Sequence, residues 1–187
     1  SMTPEEVIKS LNERFGIKAS SRNLLHMAER GLIPRPSLGS LGRGKGTYSE
    51  YPDDAPERYY AIWRLNKHAK MPLPLQAGFP RWLGESPVSS LSGADLIQNN
   101  TGWGPNAMFN IQQTLWLTLY RLAELNVPAR SEVSIQIKVF ETSNFMIKLP
   151  EKEFKPDENL PPPTKIKVLV DRNTSPWPKI IEVLNVA

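Results

Sequence analysis

"RNLLHMAERGLIPRP", residues 22–36, is the stretch on which the reading of this chain turns. Leu24, Met27 and Ala28 recur at helical spacing, with Leu25 flanking them, so one face is apolar. Gly31 ends the pattern, since glycine takes the left-handed conformation that follows a last helical turn. Leu32 and Ile33 then return to a core, and Pro34 imposes extended chain. Ser20 or Ser21 supplies the cap at the start. The opposite face begins with Arg22, Asn23 and His26. Such a helix is either a structural spacer or the element of a protein that enters a nucleic-acid groove. Its neighbours decide between the two.

Upstream, "TPEEVIKSLNERFGI" (3–17) predicts a first helix. Thr3 caps it, Pro4 fits the first turn, and Glu6 closes a capping box. Val7, Ile8, Leu11 and Phe15 form its apolar face, and Gly16 stops it. Two short helices separated by about four residues make a helix-turn-helix candidate. Downstream, "RPSLGSLGRGKGTYSEYP" (35–52) has glycines at 39, 42, 44 and 46. Short strands on either side would leave Arg43 and Lys45 on an exposed loop, which describes a wing. No G-K-[ST] follows, so a phosphate-binding loop of the nucleotide-hydrolase type is a poor reading. "DDAPERYYAIWRLNKHAK" (53–70) predicts a third helix, capped by Asp53 or Asp54. Tyr59, Ile62 and Trp63 are expected inside, with Tyr60, Arg64, Lys67 and Lys70 elsewhere on its surface.

The charge is placed unevenly. Residues 1–75 hold 12 Lys/Arg against 8 Asp/Glu, residues 76–130 three of each, and residues 131–187 eight of each. The net +4 therefore belongs to the N-terminal segment. Within 22–45, Arg22, Arg30, Arg35, Arg43 and Lys45 face only Glu29, a local field suited to phosphate.

Beyond residue 70, prolines 72, 74, 80 and 87 forbid a continuous helix. Leu75, Phe79, Trp82 and Leu83 suggest a connector that packs. A short helix is expected at 92–99. A longer one at 105–126 is apolar around most of its circumference, which requires burial in its own fold or by a partner subunit. "EVSIQIKVF" alternates as a half-solvated strand. "NFMIKLP" makes a hairpin with it over 133–149. "KIKVLVD" and "KIIEVLNV" are two further strands, after a polar, proline-rich loop. The fold class is α+β: an N-terminal winged helix-turn-helix followed by a small helix-plus-antiparallel-sheet domain. The expected boundaries are 3–70 for the winged domain, 71–90 for the connector and 91–187 for a domain of assembly or effector binding.

Residues 3–65 resemble the DNA-binding domain of the MerR family of bacterial transcription regulators. The family's recognition helix carries an "R-T-L-R-Y-Y-E-x-x-G-L" pattern. Arg22, Leu24, Gly31 and Leu32 match it, Pro34 follows, and Tyr48 stands at the tyrosine of the wing. Leu25, His26, Met27 and Ala28 replace the family's arginine, two tyrosines and glutamate. Gly46 replaces the wing arginine, with Lys45 beside it. Ile62 and Leu65 match the core pair of the following helix. The family's long dimerising helix has no counterpart after residue 70, where prolines stand.

The resemblance implies a double-stranded DNA partner and a role in transcription regulation. A helix fits the major groove and presents its first turns to base edges. Ser20, Ser21, Arg22, Asn23 and His26 are the candidates there. Arg22 would pair with guanine or clamp a phosphate, and Asn23 would read adenine. Arg43 and Lys45 would reach the flanking minor groove or backbone, and Arg35 and Tyr48 would position the duplex. A homodimer through 91–187 would double the charge and read a symmetric site. A small-molecule or protein effector is left open.

Other chemistry finds little support. With no cysteine, disulfides and thiolate chemistry are excluded. With His26 and His68 alone, so is a multi-histidine metal site. No metal, cofactor or catalytic residue is expected. Both histidines lie in the candidate DNA-binding segment, Asp53–Asp54 reads as a helix cap, and Glu151–Lys152–Glu153 as a solvated loop. No dinucleotide fingerprint or H-E-x-x-H occurs. No apolar run approaches a membrane span, and Ser1–Met2 reads as the remnant of a cleaved tag, so a cytoplasmic protein is expected. The competing reading is a structural or protein-interaction module, for plasmid or phage maintenance or assembly, that uses the winged domain as a scaffold. In that reading Trp177 lies on a partner surface, and Trp103, between Gly102 and Gly104, either lines a pocket or plugs the core.

Overall fold

The structure is a computed structural model, and it describes residues 1–44, 46–68, 73, 105–140, 143–149, 165–171 and 179–186. It is a mixed α+β architecture that divides into two compact units. One comprises Ser1–Arg81 with Tyr120–Ala129, the other Trp82–Leu119 with Arg130–Ala187. The connector at 71–90 (Leu73 apart), the helix at 92–99, Trp103 and Trp177 lie outside the described residues.

The first unit opens with helix α1, Pro4–Phe15. Its capping box forms as the sequence predicts: Glu6 N donates to Thr3 Oγ1 at 3.3 Å, and Thr3 N to Glu6 Oε2 at 2.7 Å. These bonds favour the carboxylate, and they hold Glu6 below its ordinary pKa. Val7, Leu11 and Phe15 are buried, one residue per turn, and Ile17 joins them after the helix ends. Helix α2, Ser21–Glu29, buries Leu24, Met27 and Ala28. Its chain reverses at Gly31, whose φ of 70° needs a glycine, and Leu32 N donates to Met27 O at 2.9 Å. Leu32 and Ile33 are then carried into the core.

Strands β1 (Ser37–Ser40) and β2 (Thr47–Glu50) form an antiparallel two-stranded ribbon, with Gly39 opposite Tyr48 and Ser40 opposite Thr47. Met2 pairs with Tyr51 in an isolated bridge that ties the N-terminal end of the unit to the chain leaving the ribbon. Helix α3, Ala55–Lys67, then closes the core with Tyr59, Ile62 and Leu65.

Helix α3 departs from expectation in three ways. Tyr60 and Arg64, expected on its surface, are fully buried, and Trp63, expected inside, is half-buried. Asp54 stands at the cap position but makes no capping bond with its side chain. Its carboxylate instead accepts from Arg58 Nε at 2.8 Å and from the Tyr120 hydroxyl at 3.1 Å.

The reason lies in residues 120–129. They pack on the same core and bring polar groups that satisfy the buried ones. Arg64 donates to the Tyr60 hydroxyl (3.1 Å), to Pro128 O (3.3 Å) and to His68 Nδ1 (3.1 Å). Arg14 donates to Asn126 Oδ1 (2.7 Å) and Ala123 O (3.1 Å), and pairs with Glu57 at 2.7 Å. Ala129 N donates to Phe15 O at 2.9 Å. A buried guanidinium is tolerated only with such partners, because an unpaired buried charge is very costly.

Helix α4, Pro105–Glu124, supplies the start of that segment. Leu115–Tyr120, Leu122 and Ala123 are buried, as an all-round apolar helix requires. In the second unit, β3 (Glu132–Phe140), β4 (Ser143–Leu149), β5 (Lys165–Asp171) and β6 (Lys179–Val186) form one sheet in the order β4-β3-β5-β6. The two outer pairs are antiparallel, as expected, and the central pair β3–β5 is parallel. Val133 and Ile135 are buried while Ser134 and Gln136 are half-exposed, so β3 shows the alternation its sequence predicts.

Candidate nucleic-acid interface

The first turn of α2 settles which serine caps it. Ser20 takes extended backbone and accepts from Asn23 N at 3.2 Å. Asn23 Oδ1 closes the box, accepting from Ser20 N at 3.0 Å and from the Ser20 hydroxyl at 2.8 Å. Asn23 thus plays the part that glutamate plays in α1. The consequence for recognition is direct. A bidentate pairing with adenine uses the amide oxygen and nitrogen together. Here the oxygen is committed to the cap, and the amide N–H₂ is what remains for an acceptor such as a phosphate oxygen. Ser21, relieved of the cap, is exposed, and its side chain makes no hydrogen bond among the described residues.

Arg22 and His26 follow on the exposed side of α2, and Arg35 is exposed just past the bend at Pro34. Arg43 stands in the turn that joins β1 to β2 and is exposed, while Lys45 lies outside the described residues. Tyr48 is 42% exposed. Its ring lies across Gly39, and a Cβ at position 39 would collide with the ring carbons. A glycine is needed there for close approach, so Gly39 and Tyr48 form one flat, partly exposed feature.

The arginines from α1 to the end of α3 fall into two groups. Arg14, Arg58 and Arg64 are held by carboxylates, hydroxyls or carbonyls inside the unit. Arg22, Arg30, Arg35 and Arg43 are exposed, and they make no ion pair or side-chain hydrogen bond among the described residues. The unpartnered group lies on the segment from the start of α2 to the ribbon turn. Arg30 was counted in the local charge of 22–45 but not named among the candidate DNA contacts. It sits at the C-cap of α2, where a cation is also favoured by the helix dipole.

A second set of residues escaped the sequence reading. Leu25, Leu38 and Leu41 are 49%, 80% and 58% exposed. Leu25 was expected to flank the core and instead faces solvent beside His26. Period-two alternation puts Leu38 and Ser40 on one face of the ribbon and Gly39 with Tyr48 on the other. Neither face is covered, so the leucines have no burial to announce them.

Among the described residues, no group of three or more His, Cys, Asp or Glu side chains is placed to hold a metal ion. No helix among them is long and apolar enough to cross a membrane. Compared with protein-family models, with curated proteins and with solved structures, the chain finds no match.

Proposed function

We propose that this protein binds double-stranded DNA as a transcription regulator, through a winged helix-turn-helix of the MerR type. In this reading α2 lies in the major groove and the β1–β2 hairpin is the wing against flanking DNA. The observation that carries it is the division of the arginines. A side chain that only solubilises a surface is as well served by lysine or glutamate anywhere. Here four arginines without internal partners among the described residues occur on consecutive elements of one helix–bend–hairpin segment, whereas Arg14, Arg58 and Arg64 of the flanking helices are all engaged. Arginine's planar fork suits phosphate and guanine equally.

Ser21, Arg22 and His26 are the base-edge candidates, with Asn23 and Arg35 on phosphate and Tyr48 positioning the backbone. Leu25 would meet a thymine methyl in the same groove. Four cations on one copy give modest affinity, so a homodimer through residues 91–187 is part of the proposal. Two copies would read a symmetric site.

The test is fluorescence anisotropy on a mixed-sequence duplex at two salt concentrations. Wild type and an Arg22→Ala/Arg35→Ala/Arg43→Ala variant are compared. Salt-sensitive micromolar binding is expected for wild type, with the slope of log affinity on log salt shallower by roughly 0.9 for each phosphate contact removed. Absence of binding at low salt would leave the exposed leucines as the better guide. The competing reading, a protein-interaction module, would then stand.

A further inference from the structure

We infer that the β1–β2 hairpin enters the minor groove of the DNA rather than riding on its phosphates, and that it thereby selects duplexes whose minor groove is of the A·T type. The inference rests on the DNA-binding reading above and adds to it a sequence preference and the residues that produce it, Leu38, Leu41 and Arg43.

Three features of the hairpin lead to it. The first is apolar. Leu38 is 80% exposed and Leu41 58%, on an element that also carries Arg43. A leucine set against phosphate oxygens gains nothing, because those oxygens keep their water. Set against deoxyribose carbons and the floor of a groove, it is removed from water along with its partner. The second is width. Gly42, Gly44 and Gly46 all have positive φ, and a Cβ at any of them would meet open space. At these three positions the turn presents bare backbone, with Leu41 N bonded to Gly46 O at 3.0 Å. Around it β1 and β2 offer Ser37, Gly39, Ser40, Thr47 and Ser49, with the Tyr48 ring lying flat across Gly39. A minor groove only about 6 Å wide admits little more than this. The third is charge. Arg43 projects from that turn with no partner among the described residues. A narrow A·T-rich minor groove has an enhanced negative potential that attracts arginine. The guanine 2-amino group, which fills the floor of a G·C groove, would obstruct both the guanidinium and the leucines.

The alternative occupant of an exposed leucine pair is another protein. The charge argues against it here. Arg35 and Arg43 bracket the leucines, and the ribbon itself carries one acid, Glu50, at its far end from the turn.

Three polymers separate the grooves. Poly(dI-dC) presents a minor groove like that of A·T, since inosine lacks the 2-amino group, and a major groove like that of G·C. The full-length protein is bound to a labelled mixed-sequence duplex and displaced with poly(dA-dT), poly(dI-dC) or poly(dG-dC). We expect poly(dA-dT) and poly(dI-dC) to compete alike, and poly(dG-dC) on the order of tenfold more weakly. Leu38→Ser/Leu41→Ser should lose that difference while keeping the wild-type salt slope. Arg43→Ala should lose the difference and flatten the slope. All three substitutions are at exposed positions, and circular dichroism checks that the fold is retained. If poly(dI-dC) competes as poly(dG-dC) does, or if all three compete equally, the hairpin is not in the minor groove and the inference falls, although DNA binding stands. If the labelled duplex is not bound at all, both fall. A change of oligomeric state in the leucine variant, with an unchanged polymer preference, would assign the leucines to a protein contact and also overturn it.

Discussion

At the scale of single residues, position along the chain says which arginines are available, and burial says why. Arg64 was expected on the surface of α3, away from the face of Tyr59, Ile62 and Trp63. It is instead fully buried, and Tyr60, His68 and the carbonyl of Pro128 converge on it. No local pattern announces a partner more than sixty residues away. We expect Arg64→Met to lower unfolding free energy by about 2–4 kcal/mol, through the polar groups it strands, as measured by urea denaturation. Arg22→Ala, at an exposed site, should leave stability within about 0.5 kcal/mol of wild type while weakening DNA binding. Gly39→Ala tests the aromatic feature. The added methyl must displace the Tyr48 ring, so DNA affinity should fall with little change in the unfolding midpoint.

Elements were more legible than residues. The capping box of α1, the glycine stops and most of the apolar faces of α1 and α2 are local signals that the structure honours, whereas Ile8 is only half-buried and Leu25 is exposed. The serine that caps α2 was ambiguous between 20 and 21, because either places a hydroxyl before the first turn. Asn23 resolves it, being three residues after Ser20 and able to bond back. Ser20→Ala should cost about 1 kcal/mol, and Ser21→Ala far less. The hairpin was legible by its glycines but not by its leucines, since an apolar residue in a strand is read as core. At the end of α4 a different signal operates. Burial first, and then the Asp54 carboxylate, hold the Tyr120 hydroxyl well above its ordinary pKa of 10.0. Burial raises Tyr51, Tyr59 and Tyr60 as well. The fold therefore favours the neutral phenols. Their contribution to stability is complete below pH 10.0 and is lost as pH rises beyond it, because the unfolded chain ionises first. Unfolding free energy measured from pH 8 to 11 should hold level up to about pH 10 and fall beyond it, less steeply in Tyr120→Phe.

For the whole molecule, the sequence predicts the elements and not their grouping. Helix, helix, hairpin and helix appear in the expected order, but the unit that contains them also takes in Tyr120–Ala129. The reason is physical. A 60-residue segment buries too little surface to be comfortably stable alone, and it gains a further apolar and hydrogen-bonding layer from the end of α4. Phe15 O, Arg14, Arg64 and Asp54 all find partners there. A fragment ending at residue 75 should consequently unfold without a cooperative transition, whereas the full chain should show one. The parallel pairing of β3 with β5 was equally illegible, since strand patterns carry no direction.

The central claim is that one face, from the start of α2 to the hairpin turn, receives DNA. The measurement that tests it most directly is the nuclear magnetic resonance spectrum of the arginine Nε–H groups during titration with a mixed-sequence duplex. The signals of Arg22, Arg30, Arg35 and Arg43 should move together and salt-dependently, while those of Arg14, Arg58 and Arg64 stay in place. Shifts confined to the second group, or absent throughout, would contradict the account.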